Sequence, residues 1–290
     1  MSATVLYDVP GPRARRRHRA AGGIGAAGVA IVLGVVVLKL SAEGQLDGQT
    51  WRFLTVEGTW IAIREGLLNT LKVAVVAIAL ALAFGALFAV GRLSPRAWMR
   101  WPAIAVIEFF RAVPLLLLIL FLFLGFGDEI GRFWALALAL MLYNGSVLAE
   151  IFRAGILSVP RGQSEAAFAL GLTRGQVLRS VLIPQAVRIM LPAIISQSVV
   201  ALKDSALGLI IAYEELARAG RQIYVFYGNP LAVGLVIAAI YVVINSALSR
   251  LAVALEARQR PRTGGAGGAR GGGPRPEWGD DPMGRAAGAS

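Results

Sequence analysis

Apolar residues fall in long unbroken blocks along this chain, at about 20–40, 66–90, 102–124, 133–151, 189–212 and 231–255. Several blocks reach the roughly 20 residues that a helix needs to cross a hydrocarbon core about 30 Å thick. Backbone polar groups in lipid must be bonded within their own segment, so blocks of this length predict helices rather than strands. The pattern predicts an all-α integral membrane protein, a bundle of six helices. Basic residues alternate between the blocks. Arg13, Arg15, Arg16, Arg17 and Arg19 precede the first; Arg92, Arg96 and Arg100 follow the second; Arg153, Arg161, Arg174, Arg179 and Arg188 follow the fourth; Arg258, Arg260 and Arg262 follow the last. The remaining connections carry Glu43, Asp47 and Glu57, then Asp128 and Glu129, then Glu214 and Glu215, with Arg218 and Arg221 weakening the contrast in the last. Arginine-rich segments stay cytoplasmic, which predicts cytoplasmic N- and C-termini.

Four regions follow. Residues 1–19 form a basic cytoplasmic head, 20–65 a first span and an external loop, 66–255 the transmembrane core, and 256–290 a Gly/Pro/Arg-rich tail. The basic head and first block also fit a signal peptide. The block is long for one, and Ser41-Ala42-Glu43 is a poor cleavage site, so it is read as a retained helix. The tail has no apolar periodicity and is expected to be disordered.

Composition narrows the chemistry. The chain is 57% hydrophobic and 16% charged, has a net charge of +12, and contains no cysteine. Thiolate metal sites and disulfides are excluded. A charge of this size in a soluble protein would suggest nucleic acid. Here the arginines lie between apolar blocks, so they point to topology control and contact with anionic lipid rather than to nucleic acid. The single histidine, His18, sits in the basic head. No nucleophile–base pair or metal-ligand set emerges, which argues against a membrane-embedded enzyme. The lysines are Lys39, Lys72 and Lys203, each preceded by leucine. None can be the lysine of a Gly-Lys-Ser/Thr phosphate loop, so any ATP hydrolysis must come from a partner.

The connection at 154–188 is longer than joining two helices requires. Helix formers run from Glu165 to Leu170, Gly171 is placed to end that helix in the left-handed conformation, Thr173 to cap a second, and Pro184 to stop or kink it. Two short helices joined by a sharp break would make a small rigid elbow suited to docking. Within it, Glu165-Ala166-Ala167 is followed after three residues by Gly171, and after nine more by Val181-Leu182-Ile183-Pro184. This run resembles the signature loop of ABC-importer permeases, with Val181 and Ile183 as mild departures. Gly66-Leu67-Leu68-Asn69-Thr70-Leu71, Glu108 to Leu115, Ala149 to Ile156 and Leu202-Lys203-Asp204-Ser205 resemble the polar amino-acid branch. Tyr143 to Leu148 departs from the usual helix-four pattern, and with Met190 to Gln197 looks most like glutamate importer permeases. The first basic helix is an addition to the five-helix permease core.

The resemblance implies a transport subunit that cycles by alternating access. Its elbow (Glu165, Ala166, Ala167, Gly171, Leu172, Thr173, Arg174) would dock on a cytoplasmic dimer of ATP-binding subunits. That dimer would hold ATP and magnesium, with no cofactor on this chain. A second permease subunit, identical or paralogous, and an extracytoplasmic substrate-binding protein are also implied. A stand-alone secondary transporter is the alternative, but the inverted repeat expected of one is not found. Glu108/Arg111 and Glu150/Arg153 are each spaced i, i+3, so each pair can meet on one helix face. A desolvated amino acid needs both an acceptor and a donor cluster. Asn144, Gln197, Lys203, Asp204 and Ser205 are the candidate substrate-path residues. Gly145, Gly155 and Gly208 are read as close helix-packing points.

Overall fold

The structure, a computed structural model, describes residues 11–259. Most of the expected tail and the start of the basic head lie outside the described residues. Every regular element among them is helical: α1 (Pro12–Ala42), α2 (Glu57–Leu93), α3 (Ala97–Ala112), α4 (Leu115–Leu157), α5 (Arg161–Ala169), α6 (Arg174–Gln176), α7 (Ile183–Asp204), α8 (Leu216–Tyr227) and α9 (Pro230–Gln259), with short 3₁₀ turns at Arg52–Thr55 and Ser205–Ile211.

Four helical stretches are long and apolar enough to cross a membrane, or five when the bent pair α3 and α4 is taken as one span. The expected count of six is therefore not reached on length and composition. The reason lies in α3 and α4: the block at 102–124 is divided between them, and α4 runs on through the block at 133–151 in one helical run broken at Gly131, where φ is 74° and ψ is 164°. That conformation favours glycine and turns the chain. Packing shows what the break does. Gly91 of α2 faces Ala103 of α3, and Phe84 meets Phe110, so α3 runs antiparallel to α2. Beyond Gly131 the sense is opposite: Val73 and Ala77 cluster with Leu136 and Leu140, Gly85 abuts Leu148, and Ala89 clusters with Phe152. The 132–157 limb of α4 thus runs parallel to α2.

Small residues set this packing. Ala74, Ala77, Ala81, Gly85 and Ala89 form a buried stripe on α2, and small faces let helices approach closely in a setting without a hydrophobic driving force. A Cβ on Gly85 would lie 2.9 Å from Leu148 Cβ and 3.0 Å from the Gly145 carbonyl oxygen. On Gly145 it would meet Phe84 at 2.8 Å, on Gly155 Met190 Sδ at 2.9 Å, and on Gly208 Leu136 at 2.6 Å. The expected glycine packing points are real contacts, and Gly85 joins them.

α2 starts at Glu57, ahead of the apolar block expected from 66, because Thr59 and Ile63 are buried. Ile63 packs into a cluster with Phe53, Leu216, Ile223, Val233 and Ile237. α8 enters this cluster along one face. α1 stands apart, with none of its apolar stretch buried, so its whole circumference suits lipid.

Candidate functional site

The elbow is built by local chemistry. α5 ends with a paired closure: the Leu172 N–H donates to the Ala167 carbonyl at 3.2 Å and the Gly171 N–H to the Phe168 carbonyl at 2.9 Å. This closure requires a left-handed residue, and Gly171 supplies it with φ 81°. At the start of α6 the Thr173 N–H and hydroxyl both donate to Gln176 Oε1, at 2.8 and 2.9 Å. The helix then widens to a π turn over Val177–Leu182 before α7 begins at Ile183. Pro184 lacks an N–H and its ring crowds the carbonyl four residues back, which accounts for the loosened turn. Glu165 and Ala166 are exposed, Ala167 is buried, Leu172 is half-buried, and Thr173 and Arg174 are exposed. Leu170, 81% exposed, forms an apolar tip. The Gln185 side-chain amide donates to Gln163 Oε1 at 3.2 Å and ties the elbow to α7.

Both i, i+3 ion pairs are present: Arg111–Glu108 at 3.6 Å and Arg153–Glu150 at 3.1 Å. They are joined by Arg92, which sequence reasoning placed only among topology-setting arginines. Arg92 Nη1 lies 3.0 Å from Glu108 and 2.9 Å from Glu150. One guanidinium therefore serves carboxylates from α3 and α4 and ties both helices to the end of α2. Sequence spacing could not reveal this, because the partners are on different helices.

The candidate substrate residues separate into two sets. Asn144 is buried and receives a hydrogen bond from the Gln197 side-chain amide at 2.7 Å; its own amide donates to the Leu140 carbonyl at 3.0 Å. The structure thus joins α4 and α7 through a polar pair within the bundle. Lys203, Asp204 and Ser205 lie at the far end of α7. Lys203 is exposed and Asp204 half-buried, and neither belongs to any ion pair among the described residues. Ser205 is buried and donates to the Leu202 carbonyl at 2.7 Å, a local helix bond.

By sequence Glu215 is one acid of an external connection. It is fully buried and caps α8, accepting from the Ala217 and Arg218 backbone N–H groups, while the Tyr241 hydroxyl donates to it at 2.8 Å. Burial pushes its carboxyl above the ordinary range, and these hydrogen bonds oppose the rise. Thr70 completes the join, accepting from the Leu216 N–H at 3.0 Å. A glutamate just ahead of an amphipathic helix was the available signal for a cap.

The structure is thus a helical bundle with an elbow, small-residue helix contacts and a polar pair between α4 and α7. Residues 57–261 match the family described as binding-protein-dependent transport system inner membrane component. The chain belongs to that family: it is a multi-pass membrane transport subunit of an ABC importer rather than a catalytic chain. The glutamate transport system permease protein GluD of Corynebacterium glutamicum is 45% identical over 228 residues, covering 76% of this chain and 84% of that protein. The glutamate/aspartate import permease protein GltK of Escherichia coli is 32% identical over 205 residues, covering 67% and 92%. A solved amino acid ABC transporter crystallised with histidines superposes with a TM-score of 0.67 at 33% identity, covering 71% of this chain and 98% of that one.

Proposed function

We propose that this permease carries an acidic or polar amino acid, glutamate first among the candidates, across the cytoplasmic membrane by alternating access, driven by a separate dimer of ATP-binding subunits. The observation that carries the reading is the elbow: a closed α5 terminus at Gly171, a capped second helix, and an exposed apolar tip at Leu170. Such a part has no role inside the bundle and suits a groove on a partner. The 45% identity to a glutamate permease supports the substrate class. Uptake of labelled glutamate, glutamine, arginine and histidine by cells with and without the gene tests it. Gene-dependent uptake of glutamate ahead of arginine and histidine is expected; transport of none of the four would remove the substrate class. A second permease subunit and an extracytoplasmic binding protein complete the proposed complex, with ATP and magnesium held only by the ATP-binding subunits.

In this reading the break at Gly131 separates two crossings, which with α1, α2, α7 and α9 makes six and puts both termini in the cytoplasm. Cysteine scanning is clean in a chain that has none. Asp128→Cys and Glu214→Cys are expected to react with an impermeant thiol reagent in intact cells, while Arg100→Cys and Gly175→Cys are spared. The reverse labelling pattern would invert the topology.

The substrate path is proposed to run past Asn144 and Gln197, with Lys203 and Asp204 nearer its outer end. Removing one partner of a desolvated charged contact costs about 2–5 kcal/mol. Asp204→Asn keeps shape and removes charge, and is expected to reduce uptake strongly at normal complex yield. For an anionic substrate Lys203→Met is expected to be the more damaging, since it takes positive charge from a path that must accept net negative charge. Normal uptake and yield in both variants would exclude the pair and leave Asn144 and Gln197.

A further inference from the structure

A cleft of about 750 Å³ opens between the end of α2, the start of α3, the end of α4 and the elbow. Four arginines border it: Arg92, Arg100, Arg153 and Arg174. Arg92 and Arg153 are engaged with Glu108 and Glu150. Arg100 and Arg174 are not: neither enters any ion pair among the described residues. Arg100 is half-buried all the same. A guanidinium that borders a cleft without a carboxylate partner favours an anion beside it.

Apart from Ser94 and Ser164 the rest of the wall is apolar, with Ile104, Ile156, Leu157 and Phe168 among the lining side chains. A small hydrated anion would leave these surfaces facing water. An amphiphile would satisfy both parts, its anionic head at the arginines and its hydrocarbon against the wall. The start of α3 also carries the mark of a membrane interface. Trp98 and Trp101 flank Arg100 and are 70% and 63% exposed. Tryptophan indoles favour the headgroup level, where one end is apolar and the other wet.

We infer that this cleft is a binding site for one anionic phospholipid, its phosphate bridging Arg100 of α3 and Arg174 of the elbow and its acyl chain lying against Ile104 and Leu157. The inference rests on the elbow reading, which places the cleft at the cytoplasmic leaflet, where anionic lipid is concentrated. A phosphate held by both arginines would tie the elbow to the bundle, so that lipid composition tunes how elbow movement reaches the spans.

The test uses the full chain in phosphatidylcholine nanodiscs doped with phosphatidylglycerol, released for native mass spectrometry. Phosphatidylglycerol is expected to be retained as a single adduct. Arg100→Gln is expected to lower its retention about fivefold, the effect of one basic residue facing an anionic leaflet, and Arg100→Lys to keep most of it. Arg96→Gln removes an exposed arginine of the same region that does not border the cleft, and is expected to change nothing. Equal loss in Arg96→Gln, or no loss in Arg100→Gln, overturns the site. Inorganic phosphate retained in pure phosphatidylcholine through Arg100 overturns the lipid assignment. Should Arg100→Gln fail to insert, a phosphatidylglycerol carrying a photoreactive acyl chain is crosslinked to the unaltered protein: adducts at Ile104 or Leu157 support the site, and adducts spread evenly over the spans overturn it. Binding is read without the ATP-binding partner, so failure of this inference and failure of the transport reading are separate results.

Discussion

Gly171→Val is expected to abolish uptake while the bundle still inserts. Gly171 holds φ 81°, and a Cβ there would meet no atom within 4 Å, so the cost is conformational rather than steric crowding. A side chain in the left-handed region costs about 1–2 kcal/mol, and a β-branched one is the most restricted. The elbow has a cheaper response than carrying that strain. It can open the closure at the end of α5, giving up the bonds from Leu172 to Ala167 and from Gly171 to Phe168. Leu170 and the Thr173 cap would then no longer be held in one orientation, and the docking face would be lost. Asn tolerates this conformation better, so Gly171→Asn is expected to retain substantial uptake. Labelled amino-acid uptake, permease abundance in the membrane fraction and co-purification of the ATP-binding subunit are the measurements. Full uptake by Gly171→Val would exclude the elbow from coupling.

The elbow was legible in the sequence because its chemistry is local. Gly171 and Thr173 each act on their own turn as their residue types predict; Pro184 does not stop the helix, which continues from Arg174 to Ile211 with a widened π turn ahead of the proline. The spans were legible for a similar reason, since hydropathy integrates over a window about as long as a crossing. What hydropathy cannot register is direction. The block at 102–124 is continuous by composition, yet the chain bends within it at Val113–Pro114, between α3 and α4; the signal was the proline, which biases the residue before it out of the helical region. Contacts between distant segments were out of reach. Asn144 and Gln197 are 53 residues apart and meet only because α4 packs on α7. Glu215 looked like one external acid among several until Tyr241, 26 residues on, closed over it. Lys203 and Asp204 are neighbours on a helix and so project about 100° apart, which is legible in the sequence and agrees with Lys203 being exposed and Asp204 half-buried.

Arg92→Met is expected to reduce the amount of folded permease severalfold, more than any other single charge removal in the chain. The i, i+3 rule finds Arg111 for Glu108 and Arg153 for Glu150, but it cannot find the cation that both carboxylates share. Arg92 contacts both, at 3.0 and 2.9 Å, with side-chain exposures of 17% for Arg92 and 18% for Glu150. Glu150 Oε1 is buried and accepts no well-aligned hydrogen bond, so its contact with Arg92 is chiefly electrostatic, while Arg153 holds the other oxygen of the same carboxylate. Removing a buried cation costs about 3–5 kcal/mol where it leaves a carboxylate uncompensated, but here Arg153 still pairs with Glu150 and Arg111 with Glu108. The Glu108 side chain is 52% exposed, so water shields part of that loss, and about 1–3 kcal/mol is the reasonable expectation here. Arg92→Lys keeps the charge, and both contacts go through Nη1 alone, so a single ammonium on a differently shaped stem should keep part of them and fall between the unaltered protein and Arg92→Met. The decisive comparison is a double-mutant cycle. Adding Glu150→Gln to Arg92→Met removes the carboxylate that Arg92 contacts, although Arg153 also loses its partner, so the double variant should lose less melting temperature in detergent, and less accumulation, than the sum of the two single variants. If instead the two losses simply add, Arg92 contributes by packing at the end of α2, and the charge cluster does not clamp α2, α3 and α4 together.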